Sequence, residues 1–166
     1  MSESIDRRSK VLRAVETVPG LHLRGLQRAT RLALGTLRHH ASALVSEGRL
    51  EAESDRRFLR YYPAPMDAGT RRLWDAVRNA PTRRIVEALL QGTDNHADLG
   101  RQLGMAASTL NRYTLRLRRL DVVAPQAGPL MLTRPDEAGA LLEGLDVGWL
   151  DSVTDGAVAL FDEFGG

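Results

Sequence analysis

Four polar side chains at helical spacing could read the edges of DNA bases. The apolar residues Leu37, Ala41 and Leu44 lie on one face of a predicted helix and must face a core. The outward positions are then held by Thr36, Arg38, His39 and Ser42. An arginine can form two hydrogen bonds with the O6 and N7 atoms of guanine, so Arg38 is the strongest candidate for base discrimination. A solvated or phosphate-bound Arg38 is the alternative.

A second stretch repeats this pattern further along the chain. Its outward positions are held by Ser108, Asn111, Arg112 and Arg116. Asn111 can pair with adenine through two hydrogen bonds, as arginine does with guanine. A solvated polar face is an equally good interpretation of this second stretch.

Further arginines are candidates for contacts with the phosphate backbone. They precede the first stretch or lie in a predicted hairpin after it: Arg24, Arg28, Arg31, Arg56, Arg57 and Arg60. Contacts of this kind add affinity without sequence information. The alternative is a run of charges that faces only solvent.

The distribution of charge favours a polyanionic partner. Residues 1–62 contain 12 Lys+Arg and 7 Asp+Glu, residues 63–134 contain 11 and 6, and residues 135–166 contain none and 8. Two basic segments followed by an acidic one are typical of a protein that binds a polyanion through its basic part. The preference for arginine suits phosphate and guanine recognition, and a GC-rich genome would produce the same preference.

Several classes of site are excluded or disfavoured. The chain has no cysteine, which rules out disulfides and thiolate metal sites. The adjacent His39 and His40 are a poor metal site because neighbouring side chains on a helix point in different directions. We find none of the common catalytic or phosphate-loop motifs, so we expect neither an enzyme nor a bound cofactor or metal. A polar start and the lack of an 18-residue apolar stretch favour a cytoplasmic protein without a membrane span.

The spacing of apolar and turn residues predicts a small mixed fold around the first stretch. We expect a helix over 6–17, a second over 23–30, and a third that restarts after a break at 31–34 and stops at Gly48. After Gly48 the period changes to two, and residues 50–62 should form a hairpin with a basic tip around residues 54–57. Residues 63–65 then lead to a connecting helix over 66–79.

An offset of 73 residues aligns two stretches with the same apolar spacing. The aligned leucine pairs are Leu26 with Leu99, Leu37 with Leu110, and Leu44 with Leu117. We infer a tandem duplication, in which the second copy repeats the three helices and ends in a smaller, uncharged hairpin over 122–132. Asn95 and Asp98 form an acidic version of a capping box in that copy.

The first copy resembles a known class of regulators. The order of helix, turn, helix and basic hairpin is that of a winged helix-turn-helix. The runs from Thr36 to His40 and from Leu44 to Leu50 are similar to those of ArsR- and MarR-like winged-helix transcription regulators, particularly the archaeal tandem forms. The resemblance covers about residues 8–133 and implies that the third helix of a copy enters the major groove. It also implies that His40 and Tyr113 occupy an inward-facing, structural position.

Departures from the family pattern concern both third helices. Ala33 and Ala106 stand where the family has a serine or a similar cap, which costs each helix ~1 kcal/mol. We expect Thr36 and Ser108 to serve as caps instead. Asp121 replaces the glycine found at position 48, so the turn into the second hairpin is less firmly specified and the second copy should read DNA less well.

The acidic C-terminal segment should contain ordered helices. Thr133, Pro135 and Asp136 are typical of a helix start. An amphipathic final helix is then predicted, with an apolar stripe of Trp149, Leu150, Val153, Ala157, Leu160, Phe161 and Phe164. This stripe either packs on its own chain or pairs with the same helix of a second copy, and we favour a homodimer on a palindromic site.

Together these patterns predict a mainly α protein with small β-hairpin wings, that is, an α+β fold of two tandem winged helix-turn-helix domains plus C-terminal helices. The expected bounds are 1–63 for the first domain, 64–80 for the connecting helix, 81–134 for the second domain and 135–166 for the acidic segment. We expect a sequence-specific, double-stranded DNA-binding transcription regulator, acting as a dimeric repressor, with the existence of a small-molecule effector left open. The alternatives are a protein-interaction scaffold of the kind associated with chromosome condensation or polymerase, and a replication initiator.

Overall fold

The computed structural model describes residues 1–154, which fall into two compact units. Met1–Trp74 and Ser152–Thr154 belong to the first unit, and Asp75–Asp151 belong to the second. Each unit has its own set of buried apolar side chains. Among the helices in this part of the chain, none combines the length and the apolar character needed to cross a bilayer.

Helices and a small sheet make up the first unit. The elements are α1 (Ser2–Thr17), β1 (Leu21–His22), α2 (Leu23–Thr30), α3 (Leu34–Ser46), β2 (Leu50–Ser54) and β3 (Leu59–Pro63), followed by α4 (Ala68–Arg78), which continues past Trp74. The strands form an antiparallel sheet in the order β1-β3-β2, with Tyr61 of β3 opposite Leu21 on one side and Ala52 on the other. A mainly helical α+β fold with a small sheet is therefore confirmed.

The buried face of each helix follows the predicted apolar spacing. The most deeply buried side chains of the first unit, each at most 1% exposed, are Val11, Val15, Val18, Leu26, Leu37, Leu44 and Leu50. Burying a side chain of this size contributes about 1.5–3 kcal/mol relative to leaving it in water. Since α3 turns Leu37, Ala41 and Leu44 to this core, its polar positions are left on the outer face, as the sequence predicted.

Two features of the first unit differ from the sequence-based expectation. Helix α1 begins at Ser2 and not at residue 6, and ion pairs one turn apart, Glu3 with Arg7 and Asp6 with Lys10, stabilise its first turns. Strand β1 was not predicted, because two residues are too few to show a period. Its pairing with β3 places the start of α2 against the hairpin.

The turn between α2 and α3 has a defined geometry that recurs 73 residues later. Arg31 ends α2 in the left-handed region at φ 62° and ψ 17°, and Gly104 ends the equivalent helix at φ 65° and ψ 31°. Ala33 and Ala106 then begin the following helices in extended conformation, at φ −65° and ψ 148° and at φ −63° and ψ 151°. Within the described residues, no side chain caps either of these starts, so the expectation that Thr36 and Ser108 act as caps was wrong.

The second unit is helical. Its elements are the end of α4, α5 (Ala80–Leu90), α6 (His96–Leu103), α7 (Ala107–Arg119), α8 (Pro135–Glu143) and α9 (Val147–Val153). Side chains at most 1% exposed in its core include Ile85, Val86, Leu99, Leu110, Leu117, Val123 and Leu150. The Asn95 side chain accepts from the Asp98 backbone amide at 2.9 Å, so the predicted cap of α6 is confirmed.

The segment after α7 differs in two ways from the sequence-based expectation. Val123 and Leu132 pair as an isolated antiparallel bridge, so within the described residues this segment is much less of a hairpin than β2 and β3. The turn before it is nonetheless formed, because Asp121 adopts φ 57° where the first unit has Gly48 at φ 71°. Thr133 does not cap α8: its hydroxyl donates to the Asp121 carbonyl at 2.6 Å, and Arg134 holds the cap position.

A buried arginine lies between α5 and α9. Arg83 is 4% exposed, and its Nη2 donates to both carboxylate oxygens of Asp151 at 2.9 and 3.1 Å. Its Nη1 donates to the Val77 carbonyl at 3.2 Å. The buried guanidinium therefore has both a counter-ion and a backbone acceptor within the second unit.

Candidate nucleic-acid interface

Helix α3 presents a polar face to solvent. Arg38, His39 and Ser42 are exposed, and Thr36 is half-buried near the start of the helix. His40 points inward and is 6% exposed, which agrees with its predicted structural position. The base-reading candidates of the first unit therefore lie on one accessible face of a helix that is anchored by its apolar side.

Arg38 lies close to the sheet as well as on the outer face of α3. Burial raises the pKa of the Tyr61 hydroxyl, and the charge of Arg38 acts in the opposite direction. Tyr61 is 4% exposed and belongs to β3, so the guanidinium is within electrostatic reach of the wing strand. Helix α3 and the hairpin thus flank the same part of the surface.

The hairpin between β2 and β3 has a rigid turn and an accessible basic tip. Oδ1 of Asp55 accepts from the backbone amides of Arg57 at 2.9 Å and Phe58 at 2.8 Å. Burial alone would raise the pKa of Asp55, but these amides and the Arg60 side chain lower it to about 2. The carboxylate therefore stays ionised and holds the turn, while Arg56 and Arg57 remain exposed at its tip.

Arg60 does not join the basic tip. Its Nε bonds to Asp55, its Nη1 donates to the Gly20 carbonyl at 3.0 Å, and its guanidinium lies 5.6 Å from the Phe58 ring centroid. The side chain is only 22% exposed. These contacts give Arg60 a structural place within the wing, which revises its expected contact with the phosphate backbone.

The arginines of α2 lie at or near the surface. Arg24, Arg28 and Arg31 are exposed, and Arg31 extends from the left-handed turn that separates α2 from α3. Arg28 also donates from Nε to the Val153 carbonyl at 3.2 Å. Arg24 and Arg31 are thus the more accessible of the three candidates for phosphate contact.

A comparison with protein-family models identifies the first unit. Residues 5–73 match a family described as an N-terminal HTH domain. The first unit is a helix-turn-helix domain. Since domains of this class bind DNA, the chain is a helix-turn-helix DNA-binding protein. No curated protein and no solved structure matches the chain.

Helix α7, outside the matched residues, carries the second set of candidates. Ser108, Asn111 and Arg112 are exposed, and Arg112 also packs on the Tyr113 ring at 5.0 Å. Arg116 is bound to Asp75 by an ion pair of 3.0 Å, so this side chain is already engaged within the second unit. The accessible part of the α7 face is therefore its N-terminal half.

The residues expected to form a dimer interface divide into two groups. Leu150 and Val153 are 0% and 2% exposed within a single chain, and Trp149 is half-buried. Leu150 and Val153 therefore pack on their own chain, which was the alternative to dimerisation, and offer almost no surface to a second copy. The remaining four predicted positions, Ala157, Leu160, Phe161 and Phe164, lie outside the described residues.

The structure also shows supporting residues that sequence reasoning missed. Nδ1 of His22 accepts from the Gly25 amide at 3.0 Å and caps α2, and its ring packs on Phe58 with centroids 4.5 Å apart. Arg71 of α4 pairs with Glu51 and Glu53 of β2. The 73-residue offset from the cap Asn95 could have indicated His22, whereas nothing in the sequence indicates Arg71. Residues 1–154 contain no group of three or more His, Asp or Glu placed to hold a metal ion.

Proposed function

We propose that this helix-turn-helix protein is a sequence-specific, double-stranded DNA-binding regulator of transcription. The observation that carries the proposal is the accessible face of α3, where Arg38, His39 and Ser42 lie together on a helix anchored by buried leucines. A helix of this kind fits the major groove, and an arginine on it can distinguish guanine through O6 and N7.

The basic tip of the wing and the arginines of α2 would supply affinity. Arg56 and Arg57 at the hairpin turn, with Arg24 and Arg31 on the other side of α3 in sequence, are exposed and available to phosphates. Each phosphate that is neutralised releases counterions, so binding should weaken steeply with salt. Occupancy of a site near a promoter would then block polymerase, which makes repression the simpler sign of regulation.

We also propose that the second unit is a second, weaker helix-turn-helix reader. Its support is the recurrence, at an offset of 73 residues, of the left-handed turn, the uncapped helix start and the capped preceding helix. Asn111 and Arg112 hold the positions of Arg38 and His39. The segment after α7 lacks charged residues from Val122 to Leu132, so it would add little phosphate affinity.

A contact with another protein is a second candidate function for this unit. Leu90, Leu115 and Met131 are 38%, 43% and 60% exposed. Large exposed apolar side chains are typical of surfaces that bind a protein partner. Replacing Asn111 with Ala separates the two interpretations, because it should change the selected DNA sequence only if α7 reads bases.

The experiment that tests the main proposal is selection of bound duplexes from a randomised pool at roughly 150 mM salt, where phosphate-only binding is weakened. We expect one enriched sequence for the wild type. Two copies on one site, as proposed for a homodimer, would appear as an inverted repeat with half-sites about one helical turn apart. Binding without enrichment would overturn sequence-specific reading.

A matched control separates loss of reading from loss of charge. Arg38→Ala and Arg13→Ala each remove one exposed arginine, but Arg13 lies on α1, away from the outer face of α3. The Arg38 variant should select a sequence with one position relaxed. The Arg13 variant should select the wild-type sequence, and relaxation by both variants would contradict the assignment of α3 as the reading helix.

A further inference from the structure

A cavity lies at the start of α3 on the side of α1. Its volume is about 520 Å³, within the range of small-molecule sites. Residues from the first two turns of both helices line it: Glu3, Ser4, Arg7, Gly35, Thr36, His39 and His40, together with Met1. Two of them, Thr36 and His39, also belong to the proposed base-reading face, so the cavity adjoins that face.

The backbone at this end of α3 is open to an anion. Ala33 holds the cap position, and no side chain among the described residues caps the helix, so the amides of its first turn have no cap acceptor. No heavy atom of those residues lies within 4 Å of the position that a Cβ on Gly35 would take. An anion can therefore approach these amides closely, on the positive end of the helix dipole.

His40 supplies a second, independent indication of a ligand. It is 6% exposed and lines the cavity, yet no residue in 1–154 forms a hydrogen bond with its imidazole. Its ring has an edge contact with His39, with centroids 5.2 Å apart. A polar group that is buried in this way is normally satisfied, and a bound ligand would satisfy it.

Charges around the cavity favour an anion. Burial, His39, Arg8 and Arg7 all lower the pKa of His40, which means that His40 lies in a positive potential. Arg8 is paired with Glu47, whereas Arg7 is paired with Glu3, which lines the same cavity. Glu3 therefore holds Arg7 in place when no anion is bound and competes with an anion for it.

We propose that this cavity binds a phosphate group, through the first-turn amides of α3, the His40 imidazole and Arg7. The phosphate could come from a free phosphate-bearing molecule or from the DNA backbone; the second source rests on the proposed function. The start of α7 is a natural comparison, because it is equally uncapped but has Ala80 and Tyr113 at the positions of Arg7 and His40.

Binding of the free anion is tested with the full chain and inorganic phosphate, without DNA. Amide chemical shifts of Gly35 and Thr36 should change saturably with phosphate and not with KCl of equal ionic strength. His40→Phe and Arg7→Gln should each raise the Kd about tenfold, the value of a hydrogen bond to a charged group. Glu3→Gln should lower the Kd, and Tyr113→Phe should leave it unchanged.

The DNA source is tested with duplexes that carry one uncharged methylphosphonate at successive positions. If a DNA phosphate occupies the cavity, one position should weaken wild-type binding but not binding by His40→Phe. If a free phosphate occupies it, no position should behave so, and phosphate should compete with DNA because Thr36 and His39 serve both sites. If Gly35 and Thr36 shift equally with KCl or in all variants, and no position depends on His40, the proposal is overturned.

These outcomes remain separable from the proposed function. Saturable binding of inorganic phosphate requires no DNA, so it can succeed where the selection experiment fails. The side chains of Glu3 and Arg7 are 79% and 43% exposed, and variants at these positions should fold even where replacement of the buried His40 does not.

Discussion

Arg38 and Arg57 carry the same charge but lie at different kinds of position. Arg38 lies on the outer face of α3, and Arg57 lies at the tip of the hairpin. Arg38→Ala should cost about 1–3 kcal/mol on the selected site and relax one base pair. Arg57→Ala should weaken all duplexes similarly and lower the salt slope by about 1. Equal effects of both variants on matched and scrambled duplexes, measured by titration, would contradict this division.

Asp55 should make wing stability depend on pH. Its pKa is about 2 in the folded chain and 3.8 as a reference value, so its contribution is full above pH 3.8 and is lost as the pH falls toward 2. The side chain is 43% exposed, and solvent screening limits the contribution to at most about 1 kcal/mol. Asp55→Asn should therefore lower the free energy of unfolding at neutral pH, and the difference should shrink below pH 3.8.

At the scale of elements, the two uncapped helices offer a paired test. Ala33 and Ala106 have extended backbones suited to a cap, so Ala33→Ser and Ala106→Ser should each add about 1 kcal/mol of stability. A serine at position 33 would also bond to the amides that the proposed phosphate needs. Thermal melting should therefore show similar gains for both variants, while phosphate affinity should fall for Ala33→Ser alone. An unchanged affinity would argue against amide binding of the anion.

Elements that depend on local spacing were predictable from the sequence, and those that depend on distant contacts were not. The period of Leu37, Ala41 and Leu44 was sufficient to predict the buried face of α3, and with it the exposure of Arg38. Strand β1 exists because Leu21 pairs with Tyr61, 40 residues away, and a two-residue segment carries no period of its own. The candidate site was limited in the same way, because the contact of Arg60 with the Gly20 carbonyl leaves no mark on the local sequence.

At the scale of the whole molecule, the chain has two cores that can be perturbed separately. Leu26 and Leu99 are both fully buried and occupy equivalent positions, one in each unit. Leu→Ala at a buried site costs about 2–5 kcal/mol. Leu26→Ala should lower amide-exchange protection mainly in residues 1–74, and Leu99→Ala mainly in residues 75–151. Equal loss across both ranges for either variant would show that the units unfold as one.

The buried Arg83 limits how the sequence can drift. Its guanidinium stays charged at all physiological pH values, and it relies on Asp151, 68 residues further along the chain. Losing the carboxylate alone would leave a buried cation without its counter-ion, whereas losing both groups together would remove the requirement. Among natural descendants of this sequence, positions 83 and 151 should therefore covary, with an acid retained at 151 wherever an arginine is retained at 83.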